Sequence, residues 1–402
     1  MENRELTEDS RLLFLALIRT ALCGGKAELP ARADWPCVIR LARQQHVLPM
    51  ILDAAWQSDV PESLLAPVQD AGVRIVMMQA RRTAAFLRLY RFLSAQNIFP
   101  LVLKGLVCRS LYPDPDKRPS SDEDLLIEPT AFSAVHEALL RYGLRCDCDD
   151  PSEELSEITY TSRDLRIELH LSPFPPESAA YGDLNALFEG LHERVGSLAV
   201  GEDMIYTLSP TDHLLYLICH AYKHFLHSGV GVRQVCDIAL FADHYDAEID
   251  WRHIRASCEQ VRIARFTAAM FAIASRHLGF SMPAAFGDLL ADESPMLTDM
   301  LSGGVYGTAE ENRQHSATIT LNAVTKQQGK TRTGLLSSVF LPLENMKRKY
   351  PYLKKYPWLL PAAWVQRVGQ YLSRVENNVS PAESVRIGNE RVALLREYGI
   401  ID

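Results

Sequence analysis

The chain has no Gly-x-Ser-x-Gly elbow, no Walker phosphate loop and no dinucleotide fingerprint, so serine-hydrolase, P-loop and Rossmann chemistry find no support in it. Long apolar runs are missing too. The LLFLALI stretch from Leu12 to Ile18 is far shorter than the ~20 residues a membrane helix needs, and charges flank it, so no transmembrane segment is expected. A net charge of -8 leaves no chain-wide basic footprint, which argues against a general nucleic-acid binder and requires any anionic partner to be met locally. The eight cysteines (Cys23, Cys37, Cys108, Cys146, Cys148, Cys219, Cys236 and Cys258) are scattered, and no secretory leader pattern precedes them. They read as reduced thiols of a cytoplasmic protein. Cys146 and Cys148 have no second pair at zinc-site spacing and are incidental.

With 402 residues and near-average shares of apolar and charged side chains, the chain can bury a core and divides into two or three domains. Over 1–97, apolar residues recur three and four apart in RLLFLALIRTAL, CVIRLARQQHVLPMILDAAW and VRIVMMQARRTAAFLRLYRFLSAQ, which predicts roughly four helices. The period then changes. IFPLVLKG is a short continuous apolar run ended by Gly105, LVCRSLY is long enough for two helical turns, PDPDKRPSSD is a loop, and DLLIE is a second strand. AFSAVHEALLRYG is an amphipathic helix stopped at Gly143, Arg145 to Glu157 an acidic loop, and EITYTSRD and LRIELHLSP two further strands. Residues 98–205 thus form an α/β (α+β) core with a mixed sheet. Helical periodicity resumes in PTDHLLYLICHAYKHFLH, VRQVCDIALFADHY and the segment after Trp251, giving a helical bundle over 206–290. An extension follows over 291–402, whose polar part from Gly303 to Thr333 reads as loop or loosely packed helix. Its segment from Asn345 to Arg374 is basic and aromatic. That segment either meets an anionic surface, or clamps the C-terminus through Trp358, Leu359, Leu360 and Trp364 while its lysines face water.

Two aspartates one residue apart on a strand point to the same face, so Asp122 and Asp124 can share a divalent cation while Glu123 points away. Glu168, on a neighbouring strand, can complete a two-metal site and also take a proton from an attacking hydroxyl. Magnesium accepts a few carboxylates together with substrate phosphates, so the arrangement suits triphosphate handling.

These residues carry a resemblance. A Lys-Gly step after a strand (Lys104, Gly105), a helix reaching Tyr-Pro-Asp-Pro, an arginine, then Asp-x-Asp on a strand and an Ile-Glu-x-His strand look like the uncharacterised nucleotidyltransferase family of the nucleotidyltransferase superfamily. The HAYKH, CDIALFAD, IDWRHI and YPWLLPAAWVQR segments are similar to what that family carries downstream, so the likeness covers most of the chain after Gln96. It implies a palm-like core that binds a nucleoside triphosphate such as ATP with Mg2+ (or Mn2+) and transfers a nucleoside monophosphate to an acceptor, releasing pyrophosphate. The acceptor stays open among small molecules, tRNA and protein. By position, Asp122 and Asp124 match the metal-binding pair and Glu168 the third acidic residue. One departure stands out: the superfamily's first motif is usually Gly-Ser or Gly-Gly, and here it is Lys104-Gly105-Leu106. Gly105 is expected to let backbone N–H groups approach phosphate at a helix start, with Lys104 adding a point charge.

Other candidates remain around this site. Arg118 is either a phosphate clamp or a solvated loop residue, and His170 either lines the site or packs against a carboxylate. His220, Lys223 and His224 meet acceptor or phosphate, or bond within their bundle. Two alternative functions stay open: a catalytically silent member that binds nucleotide or protein, and a helical metallohydrolase built on His220, His224 and Asp237, although HExxH is absent.

Overall fold

The computed structural model describes residues 7–30, 34–58, 60–227, 229–289, 292–304, 311–327, 352–366 and 381–402, with single positions 329, 343, 346 and 350. Four helices open the chain: α1 (Glu8–Cys23), α2 (Trp35–Gln44), α3 (Leu48–Gln57) and α4 (Glu62–Ser94). Thr7 and Asp34 cap the first two, their side chains accepting from the Ser10 and Cys37 backbone N–H groups. In α4 Pro67 lies inside the helix, in its second turn, where it lacks the N–H that would donate to Ser63 O.

After Asn97, in a left-handed turn, the chain enters the sheet. Its strands are β1 (Leu101–Val102), β2 (Glu123–Leu126), β3 (Arg145–Cys146), β4 (Glu157–Thr161) and β5 (Arg166–His170), in the order β1-β2-β5-β4-β3. The β2–β5 pair is parallel and the other pairs antiparallel, so the sheet is mixed, as the alternation of apolar runs predicts. Between β1 and β2 runs the short helix α5 (Gly105–Ser110), and α6 (Phe132–Tyr142) crosses over to β3, ending at Gly143 with φ 100°. The acidic loop therefore begins with an edge strand, and the hairpin of β6 (Val195–Val200) and β7 (Asp203–Leu208) adds a second sheet that the apolar pattern does not announce.

The bundle comprises α7 (Pro210–His227), α8 (Val232–His244), α9 (Trp251–Gln260) and α10 (Ala264–Ile273). Then come α11 (Ser294–Gly303), α12 (Glu311–Gln327), α13 (Tyr352–Lys355) and α14 (Pro381–Glu397). Within the polar stretch expected to be loop or loose helix, α12 is a helix tied to the bundle: Thr320 Oγ1 donates to Leu226 O at 2.5 Å, and Arg391 of α14 reaches the carbonyls of Phe225 and His227. One apolar core runs from Leu13 to Ile401 through helices and sheet alike. Among the described residues no helix is long and apolar enough to cross a membrane.

The clamp expected of the basic aromatic segment does not form where it is described. Trp358 is 70% exposed and Leu359 is on the surface, because the turn at Pro357–Leu359 directs both outward. Leu360 and Trp364 pack instead around Met346, Tyr350, Leu353 and Ala363, a small cluster separate from the main core. Residues 345, 347–349, 351 and 367–374 of that segment lie outside the described residues.

Candidate active site

The parallel pairing of β2 with β5 sets Asp124 beside Glu168. Side chains at paired positions share a face, and with period two His170 joins them while Glu123, Ile167 and Leu169 turn to the other side. Asp124, Glu168 and His170 each offer one donor atom, all within 4.8 Å of one another; among the described residues no other three metal-ligating side chains come so close. Asp124 is fully buried. Its Oδ1 takes His170 Nε2 at 3.0 Å and Lys104 Nζ at 3.0 Å, whereas its Oδ2 is buried with no hydrogen-bond partner among the described residues. An orphaned carboxylate oxygen in a buried site is costly unless something cationic completes it.

Helix α7 closes the site from the opposite side. His220 Nε2 lies 2.9 Å from Lys104 Nζ, and His224 Nε2 lies 3.2 Å from His220 Nε2. Burial, then the charge of Lys104, pushes both imidazoles well below their ordinary pKa, so they are neutral near pH 7. Lys223 is likewise lowered by burial, which the carboxylates of Glu157, Asp124 and Glu168 partly offset. Burial alone raises the Asp124 carboxyl, but Lys104 and His170 outweigh it and hold the group below its usual range. Glu168 moves the other way. Burial, together with the neighbouring charges of Asp124 and Asp122, pushes its carboxyl up to about 7.

Asp122 sits one residue ahead of β2, half-buried, and it is not part of the three-donor set. Its charge still reaches Glu168. The cluster therefore differs from the expected Asp122–Asp124–Glu168 set by taking His170 into the third place.

Three further expectations meet different surroundings. Arg118 is neither solvated nor turned to a phosphate: its guanidinium is buried in a two-pronged contact with Asp237, at 3.0 and 2.6 Å. Tyr112 donates to the same carboxylate at 2.8 Å, so Asp237 is not available to His220 and His224 and the alternative helical metal site is not assembled. With Arg233 donating to Pro119 O, Arg82 to Ser120 O, and Gln79 accepting from Ser120 N, this pair pins the loop that delivers β2. Gly105 does not cradle a phosphate either. The start of α5 is closed by Glu123, whose Oε2 accepts from Leu106 N at 2.8 Å, and a Cβ on Gly105 would lie 2.0 Å from that oxygen. The other Glu123 oxygen takes the fully buried Arg109 at 2.5 Å. Sequence reading missed this Arg109–Glu123 pair. Its signal was an arginine inside an apolar helical turn together with the one acidic residue of opposite parity to Asp122 and Asp124.

The sheet is mixed, with Asp124 and Glu168 on adjacent parallel strands and the partly buried Lys104 beside them, in keeping with an α/β nucleotidyltransferase core. The chain belongs to the family described as "Uncharacterised nucleotidyltransferase", whose model matches residues 31–279, well over half of its length. The match takes in α2 to α4 and ends before the basic aromatic segment. No curated protein and no solved structure matches the chain.

Proposed function

We propose that the chain is a divalent-metal-dependent nucleotidyltransferase that moves a nucleoside monophosphate from a nucleoside triphosphate to an acceptor hydroxyl or phosphate and releases pyrophosphate. The observation that supports it is the three-donor set together with the buried Asp124 Oδ2, which has no hydrogen-bond partner among the described residues. The two carboxylates are ligands that Mg2+ or Mn2+ accepts, and the imidazole tilts the set toward Mn2+, since Mg2+ prefers oxygen donors. Asp124, Glu168 and His170 would hold the ion, with Asp122 adding negative charge from the head of β2.

A bound divalent ion supplies charge neutralisation for the phosphates and the departing pyrophosphate. The chain's own groups supply the rest. With one oxygen toward the ion, Glu168 would take the proton of the acceptor hydroxyl at its other oxygen. Lys223 on α7 offers positive charge to the triphosphate, and neutral His220 orients Lys104 without adding charge of its own. The pinned loop between Pro113 and Ser121 holds β2 rigid, so the reacting groups need little reorganisation.

The test is binding and turnover with each of the four common nucleoside triphosphates, ATP first, followed by pyrophosphate release with and without Mg2+ or Mn2+. Release that needs the ion and disappears in Asp124→Asn and in Glu168→Gln is expected. Equal, ion-independent behaviour of wild type and both variants refutes catalysis here and leaves a silent binding protein.

A further inference from the structure

We propose that Lys104 is a built-in cation that takes the place of one of two metals, so that this site carries one divalent ion and not a pair. The proposal rests on the metal-binding reading of Asp124, Glu168 and His170 given above and adds to it what the Lys-Gly step does.

Three observations support it. The Lys104 ammonium stands 3.0 Å from Asp124 Oδ1, the oxygen that a second ion would share, and His170 reaches that same oxygen. Of the two Asp124 oxygens, Oδ2 alone has no partner among the described residues, and one open carboxylate oxygen serves one ion. The lysine is also fixed there. Its backbone is held on both sides, with Cys108 N donating to Lys104 O at 2.8 Å and Leu103 N donating to Asp124 O at 3.0 Å, and His220 Nε2 braces the ammonium at 2.9 Å. Finally, Asp122 lies outside the donor set, so the two aspartates do not present a shared double-ion face. Lys104, Lys223 and one divalent ion match the negative charge of Asp122, Asp124, Glu157 and Glu168. In the substrate-free protein, the state in which ions are counted below, a second ion would leave the pocket with an excess of positive charge.

An ammonium supplies a point positive charge and hydrogen bonds to phosphate or carboxylate oxygens, as an ion does, but it cannot polarise a bound water into a hydroxide. A site of this kind needs a carboxylate to accept the acceptor's proton, which is the role open to Glu168.

The experiment counts Mn2+ ions by the loss of the free aqueous Mn2+ electron paramagnetic resonance signal on titration into the full-length protein, scoring only ions that Asp124→Asn abolishes. Wild type should bind one such ion, Lys104→Met two, and Lys104→Arg, which keeps the charge, one. Circular dichroism on each variant confirms folding, and the wild-type count decides even if Lys104→Met fails to fold. Two ions in wild type, or one in a folded Lys104→Met, overturn the proposal while leaving the metal site standing. No Asp124-dependent ion in any form overturns the proposal and the metal-binding reading together.

Discussion

Replacing Glu168 by glutamine should stabilise the ion-free protein at alkaline pH and leave it unchanged in acid. The ordinary glutamate value of 4.5 rises to about 7 in the fold, because burial and the charges of Asp124 and Asp122 disfavour the ionised form. Below 4.5 both folded and unfolded chains hold the proton, and the group favours neither state. Between 4.5 and about 7 the unfolded chain releases it while the folded one keeps it, so stability falls as pH rises, and above about 7 the loss is complete. At about 1.4 kcal/mol per pH unit, the full loss is about 3 kcal/mol. The side chain is only 17% exposed, so solvent screening removes little of this. Glutamine has the same shape and no charge to bury. Urea unfolding at pH 5 and pH 8 in the presence of a chelator should show the variant more stable by about 3 kcal/mol at pH 8, with most of the gain absent at pH 5. Parallel pH profiles for the two proteins, or a glutamine variant that is weaker at pH 8, would refute the reasoning.

Arg118→Met leaves the Asp237 carboxylate buried without its cation and should cost about 3–5 kcal/mol in urea unfolding, most of it recovered when Asp237→Leu is added. Gly105→Ala puts a methyl against the Glu123 carboxylate and should cost about 1–3 kcal/mol, read as a lowered melting midpoint. Trp358→Ala removes a side chain that is 70% exposed and should move stability by no more than about 0.5 kcal/mol, whereas a clamp on the core would cost several times that.

Much of the site was readable because its elements obey short periods. Strand parity separated Asp124 from Glu123, and the Ile-Glu-x-His run identified the strand that lies beside it; the structure places Asp124 and Glu168 at paired positions. Helical period likewise marked α1 to α4 and α7 to α10. What stayed hidden depends on contacts distant in the chain. Nothing near Arg118 shows that Asp237, on α8, takes its guanidinium, and local spacing made a loop arginine before an Asp-x-Asp run look like a phosphate ligand. The glycine of the Lys-Gly step was legible as a place of close approach, but the approaching group is a carboxylate of the protein itself. His170 was marked by strand parity as facing the site, yet its place in the donor set required the register between β2 and β5. Solvent-facing outcomes such as Trp358 are equally non-local, since an aromatic residue in a basic segment packs inward only when a partner surface is there to receive it.

The most direct measurement is anomalous diffraction from crystals grown with Mn2+ and a non-hydrolysable nucleoside triphosphate analogue. An anomalous peak bonded to Asp124, with Glu168 and His170 as its other protein ligands and the analogue's phosphates against it, is the predicted result. A peak elsewhere, or an analogue bound away from Asp124 with no metal beside it, would contradict nucleotidyl transfer at this site.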